Sequence, residues 1–174
     1  MSESAGLGHS TPYVGYNYDE SATSGQFTKG LRLTSIRYPN GRPVHHTYGT
    51  SGSDDDHLNR LAAIQDDSSG SPGATLASYT YLGLDRVVIQ DLPEPDIKLD
   101  LFGGTSGVYT GLDRFDRVID QRWFDYGSST DVDRFKYGYD RASNRTWREN
   151  TVSKNLSTPV YLDEFYTYDG LHRL

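Results

Sequence analysis

The sequence contains no cysteine. Disulfide frames, Cys-ligated zinc, iron-sulfur clusters and thiol nucleophiles are thereby excluded, and cysteine usage leaves no mark of a redox compartment. No apolar run approaches the ~18 residues a membrane-spanning helix needs. The first residues, Met1-Ser2-Glu3-Ser4-Ala5-Gly6, lack the basic stretch and apolar core of a secretion signal. Clustered cations are missing as well: 17 Lys and Arg stand against 24 Asp and Glu, for a net charge of −7, which argues against a nucleic-acid backbone as partner. Aliphatic residues are scarce too. Leu, Ile, Val and Phe number 36 of 174 residues, close to the ~20% below which chains stay disordered.

What the chain has instead is 14 Tyr, 6 Phe and 2 Trp, enough aromatic surface to supply burial that the aliphatics do not. These numbers predict a tyrosine core, and fully buried rings at Tyr139 or Tyr168 would cost ~3–5 kcal/mol on truncation to Ala. Acids divide 19 Asp to 5 Glu, and bases 13 Arg to 4 Lys. Asp closes turns through its short carboxylate, and the Arg fork suits fixed pairing with carboxylates and stacking on rings. Tyr, Asp, Arg and Gly in excess, with few helix formers, predict an all-β chain of short strands and many turns.

One phrase recurs. It reads Tyr79-Thr-Tyr81-Leu82-Gly-Leu-Asp-Arg86, then Tyr137-Gly-Tyr139-Asp140-Arg-Ala-Ser-Asn144-Arg145, then Tyr166-Thr-Tyr168-Asp169-Gly170-Leu-His-Arg173. A partial copy lies at Tyr109-Thr110-Gly111-Leu112-Asp113-Arg114, so closing arginines at 86, 114, 145 and 173 mark one unit copied along the chain. Degraded relatives are Tyr16-Asn-Tyr18-Asp19, Tyr38-Pro-Asn-Gly41-Arg42 and Asp56-His-Leu-Asn-Arg60-Leu61, and Gly-Thr-Ser-Gly recurs at 49–52 and 104–107.

Tyrosines two apart share one face of a strand, the Asp carboxylate closes the turn that follows, and Arg opens the return strand. The unit is therefore a β-hairpin. At Tyr38–Arg42, Thr34, Ile36 and Tyr38 alternate on one side and Val44, His46 and Tyr48 on the other, with Gly41 placed for a left-handed position. Further strands are expected at 86–90, 97–102, 117–126 and 133–139. A loop or insertion is expected at 66–73, one helical turn at 55–63, and flexible segments at 1–12 and 150–158.

Tyr139-Asp140 with Asn144-Arg145, and Tyr168-Asp169-Gly170 with Arg173-Leu174, resemble the YD repeats of the RHS (rearrangement hotspot) proteins, which include bacterial polymorphic toxins, shell subunits of insecticidal toxin complexes, and teneurins. The resemblance covers 13–174, with its best copies in 79–174. It implies consecutive antiparallel hairpins forming a curved ribbon, a partial segment of a hollow β-shell around a toxin or cargo segment. It further implies a non-catalytic structural scaffold, secreted or at the cell surface, whose partners are adjacent repeats of the parent protein or its enclosed cargo. Self-cleavage at Asp-Pro-x-Gly is not carried over, because the chain has no Asp-Pro. On this reading the chain is a piece of a longer array.

Chemistry-bearing residues offer alternatives to that reading. His45-His46 with Asp54-Asp55-Asp56-His57 suggest a metal site, but adjacent strand residues point to opposite faces, and the acidic run lacks the pattern of an EF-hand; no metal and no cofactor is expected. The pairs Asp96/Asp100, Asp113/Asp116 and Asp116/Asp120 suggest a glycoside hydrolase, whereas 19 Asp in a turn-rich chain produce such spacings by composition alone. The alternative with most support is a carbohydrate-binding surface in which Trp123, Trp147 and the paired tyrosines stack on sugar rings.

Overall fold

The computed structural model describes residues 11–19, 31–103 and 110–174. Eleven antiparallel strands follow one another in chain order, each beside the next in the sequence. The chain divides into two compact units, Met1–Thr75 and Leu76–Leu174. The all-β expectation holds, and helix is confined to two single turns among the described residues.

In the first unit β1 (Gly15–Tyr18) pairs with β2 (Leu33–Arg37), which turns back into β3 (Pro43–Thr47). The β2–β3 turn is the expected one: Gly41 has φ +87°, its N–H donates to the Tyr38 carbonyl, and the Tyr38 N–H donates to the Arg42 carbonyl. Val44 stands opposite Ile36, so alternation alone sets the register. A helical turn, α1 (Asp54–His57), is capped by Ser53, whose hydroxyl accepts from the Asp56 N–H. It is shorter than the expected span, because the chain re-enters the sheet at β4 (Ala63–Ser68).

Residues 66–73 correct the expectation of a loop. They form a tight hairpin between β4 and β5 (Ser71–Leu82), whose two turn residues, Ser69 (φ +55°) and Gly70 (φ +87°), are both left-handed. That is the twist-matched turn of two-residue hairpins, and a serine in its first position hides the signal usually carried by Asn or Asp.

The second unit continues β5 into β6 (Arg86–Leu92), β7 (Ile97–Asp100), β8 (Asp120–Asp125), β9 (Thr130–Tyr139), β10 (Arg145–Asn150) and the two-residue β11 (Glu164–Phe165). Residues 150–158 correct a second expectation: Asn150 caps a helical turn, α2 (Thr151–Lys154), accepting from the N–H groups of Val152 and Ser153. The stretch expected to be flexible thus begins as an ordered cap.

The tyrosine core is also corrected. The dry cluster of the second unit is Val88, Leu101, Phe102 and Leu112, flanked by Leu82, Ile89, Leu99 and Val118. No described tyrosine is fully buried; Tyr79, Tyr81, Tyr137, Tyr139, Tyr166 and Tyr168 are half-buried. A phenol keeps its hydroxyl within reach of a partner, so the rings stay half-exposed while three aliphatics and Phe102 form the dry cluster. Residues 1–10 of the segment expected to be flexible, and the expected repeat features at Tyr109 and at 104–107, lie outside the described residues.

Candidate functional site

The most regular constellation in the second unit is a set of five-residue turns opened by Asp113, Asp140 and Asp169. In each, the Asp N–H donates to the carbonyl of the fifth residue: Arg117 at 2.9 Å, Asn144 at 3.0 Å, Arg173 at 3.0 Å. One carboxylate oxygen of the same Asp accepts from the N–H groups of the third and fifth residues: Phe115 and Arg117, Ala142 and Asn144, Leu171 and Arg173. The other oxygen takes the side chain of the fifth residue, at 2.6 Å from Arg117 Nε, 2.8 Å from Asn144 Nδ2 and 2.7 Å from Arg173 Nε. The fourth residue is left-handed each time: Asp116 (φ +60°), Ser143 (φ +68°) and His172 (φ +59°).

Short Asp side chains are required here because the carboxylate must span two backbone N–H groups within its own turn. The Asn144 amide, followed by backbone donors, holds the Asp140 carboxyl below its ordinary value. Backbone and guanidinium donors of Arg173 do the same for Asp169. For Asp113, partial desolvation pushes upward, but the Arg117 donors outweigh it and the net direction is down.

This geometry relocates one expected residue. Arg114 is the second residue of its turn, exposed, with its guanidinium 4.7 Å from the Phe115 ring centroid; the closing position belongs to Arg117. Likewise Arg145 follows the closing Asn144 and lies 4.7 Å over the Tyr137 ring. The turn at Leu82–Arg86 is of another kind, left-handed at Gly83 (φ +62°), in keeping with Leu82 where the others have Asp. Its flanking Tyr79 and Tyr81 stand opposite Gln90 and Val87. Gly170 follows Asp169 in the last turn, with open space around it.

The closing residues also reach forward into the next turn. Arg117 Nη1 donates to the Asp140 carbonyl at 3.1 Å and to Ser143 Oγ at 3.2 Å, while its guanidinium stacks 4.8 Å from the Tyr139 ring centroid. Tyr139 completes the link: its hydroxyl donates to the carbonyl of Val118, one residue past Arg117. At the following junction Asn144 Nδ2 lies 2.8 Å from His172 Nδ1, and the Tyr168 hydroxyl donates to the Arg145 carbonyl, one residue past Asn144.

The first unit carries the same clamp independently. Arg32 stacks 5.0 Å from Tyr48, donates to the Asp56 carbonyl and bonds Asn59 Oδ1; the Tyr48 hydroxyl donates to the carbonyl of Leu33, one residue past Arg32. Asn59 is left-handed (φ +56°) and its N–H donates to the Asp56 carbonyl, as that of Ser143 does to Asp140, although Asp56 itself belongs to α1. Arg32 and Tyr48 escape a sequence reading because twelve residues separate Asp19 from Arg32 and seven separate Tyr48 from Asp56, where the shorter turns have three and none. The Asp19 N–H nevertheless donates to the Arg32 carbonyl, as in the shorter turns.

His45 Nε2 lies 2.9 Å from Asp67 Oδ1, and burial lowers the His46 pKa. Asp120 is forked by Arg134, and buried Asp100 accepts from the Phe102 N–H. Among the described residues no group of three or more His, Cys, Asp or Glu is placed to hold a metal ion. The two tryptophans do not form one platform: Trp123 pairs with Asp133, whereas Trp147 covers Gly138, where an added Cβ would fall 1.8 Å from Nε1. Residues 133 and 138 of β9 face opposite sides, so the two indoles do as well.

No family model matches the chain, and no curated protein matches it in sequence. Solved structures do match in fold. A chain of the Photorhabdus luminescens Tc holotoxin pore superposes with a TM-score of 0.58 at 16% identity, covering 82% of this chain and 6% of its own. Chains of two TcdB2-TccC3 complexes, one of them with Cdc42, give 0.57 at 17% identity over 82% of this chain and 6% of theirs. The chain thus spans a small part of the length of these proteins. At this identity the likeness concerns architecture alone: the chain has an all-β fold like that of a segment of these toxin chains.

Proposed function

We propose that the chain is a non-catalytic structural segment of an RHS-type shell, one that helps enclose a toxin or cargo segment in a secreted or surface protein. The observation that carries this reading is the clamp: an arginine closing one turn stacks on the tyrosine of the next hairpin and donates to its Asp carbonyl, at Arg32–Tyr48 and again at Arg117–Tyr139. Such contacts between successive units are how a repeat array gains stability, each unit leaning on its neighbour. The aspartates are used as turn builders and arginine partners, with the carboxyls of Asp113, Asp140 and Asp169 held below their ordinary value. The fold likeness to Tc toxin chains supports the same reading.

The test is protease protection in the full-length parent reading frame. The repeat region should survive trypsin together with whatever segment it encloses, and Arg117→Ala should open that segment to cleavage. Unchanged protection in the variant, or a glycosidase activity lost with one Asp→Asn substitution, would overturn the proposal.

A further inference from the structure

Arg114 and Arg141 hold the second position of two successive Asp turns, after Asp113 and Asp140. Neither closes its turn, and both are exposed. They line one cavity of about 480 Å³ with Phe115, Tyr139 and Ser143. The other two charges on its wall are already matched. Arg117 is paired with Asp113, and the Asp140 carboxylate is held by donors of Ala142 and Asn144 within its own turn. Arg114 and Arg141 have no carboxylate partner among the described residues, in a chain where acids outnumber Lys and Arg by 24 to 17. The same unit shows what is missing. Arg117, Arg122 and Arg148 lie over the rings of Tyr139, Phe124 and Phe135, and each also bonds a carboxylate, of Asp113, Asp131 and Glu164. Arg145, over Tyr137, has the Tyr166 hydroxyl beside it. A stacked guanidinium keeps its N–H edge free in the plane of the fork, so ring and carboxylate are held together. Arg114 has its ring, Phe115 at 4.7 Å, and no carboxylate on that edge.

We propose that this cavity binds an acidic peptide segment, with one carboxylate on the Arg114 fork and a second on Arg141. Ser143 adds a donor: its Oγ accepts from Arg117 and keeps its own proton to give. Phe115, 61% exposed, offers an apolar surface to a side chain between the two acids. The cavity is larger than a single inorganic ion needs and falls in the ~300–1,000 Å³ range of ligand pockets. Charge complementarity is local here, because the chain as a whole carries −7 and repels an acidic partner everywhere else. Each exposed ion pair contributes little alone, so selectivity comes from meeting both guanidiniums at once. A segment with a single acid, or with amides in place of acids, leaves at least one fork unmatched.

The experiment titrates the full chain into a fluorescein-labelled Glu-Glu-Leu-Glu-Glu peptide at low salt and reads anisotropy. Saturable binding is expected, and none when Gln replaces every Glu. Arg114→Ala and Arg141→Ala should each weaken it by roughly fivefold or more. Both variants should keep the melting temperature, since neither guanidinium closes a turn. Arg37→Ala is the charge-matched control, because Arg37 is exposed, lies over the Tyr13 ring and belongs to the first unit. It should change the affinity by less than about twofold. An equal loss in that control overturns the site in favour of diffuse attraction, and absence of saturable binding overturns it outright. Displacement of the peptide by inorganic phosphate at concentrations near the peptide's own Kd assigns the cavity to small oxyanions and overturns the peptide reading. Cargo protection is not read in any of these measurements, so their failure leaves the scaffold reading to its own test.

Discussion

Arg117 joins two turns with one side chain, and its loss illustrates how much a planar fork does that a point charge does not. Arg117→Lys keeps the charge but cannot hold Asp113, the Asp140 carbonyl and Ser143 together while lying on Tyr139. The expected cost is about 1–2 kcal/mol, read by urea unfolding with tryptophan fluorescence, since both tryptophans belong to the second unit. Tyr139→Phe keeps the ring and removes one donor to the Val118 carbonyl, for about 1 kcal/mol. Because the ring is half-buried, Tyr139→Ala should fall below the ~3–5 kcal/mol of a fully buried aromatic. In the first unit the pair Arg32–Asp56 is sealed, at 8% and 5% exposure. Arg32→Ala leaves the Asp56 carboxylate with the Gly52 N–H but without its paired cation and should cost about 3–5 kcal/mol, seen as lost hydrogen-exchange protection in β2 and around Asn59. Arg114→Ala, at a position that closes no turn, should change stability by less than about 0.5 kcal/mol.

Among elements, the Asp turns set the response to acid. The carboxyls of Asp113, Asp140 and Asp169 are lowered from the ordinary value of 3.8, so the folded state prefers them ionised more strongly than the unfolded chain does. Their stabilisation is full above that value and is lost as pH falls through the lowered folded-state pKa. Urea midpoints of the second unit should therefore be flat from pH 7 to about 5 and drop below about pH 4. Asp140→Asn, which sets an amide donor against the Asn144 amide, should lower the midpoint at pH 7 and shrink the acid drop. An acid limb unchanged in that variant would show that the turn carboxylates do not govern it. At β9–β10 the sensitive position is Gly138, whose missing Cβ leaves room for Trp147. Gly138→Ala must displace the indole and should cost about 1–3 kcal/mol, with a shift in tryptophan emission.

At the scale of the whole molecule, the strand-and-turn grammar was legible in the chain. Period-two tyrosines placed the ends of β5 and β9, and Pro39-Asn40-Gly41 placed the β2–β3 turn, because both signals are local. The clamp was not legible, since it joins residues 15 to 27 apart whose relation appears only when hairpins lie side by side. Counting arginines by spacing chose Arg114 over Arg117; the carboxylate two N–H groups deep in the turn decides the matter, and spacing carries no trace of it. The composition of 150–158 suggests flexibility and that of 66–73 a loop or insertion, where the chain forms the helical cap at Asn150 and the Ser69-Gly70 hairpin, because polar composition is common to loops and to tight ordered turns.

The opposed tryptophans make the second unit a two-sided reporter. An aqueous collisional quencher such as iodide would reach Trp123 from one side of the sheet and Trp147 from the other. Any cover laid on a single side, whether an enclosed segment or a neighbouring wall, would protect one indole and leave its twin open. A bent quenching plot, split into two populations, would then register that asymmetry without any label being added to the protein.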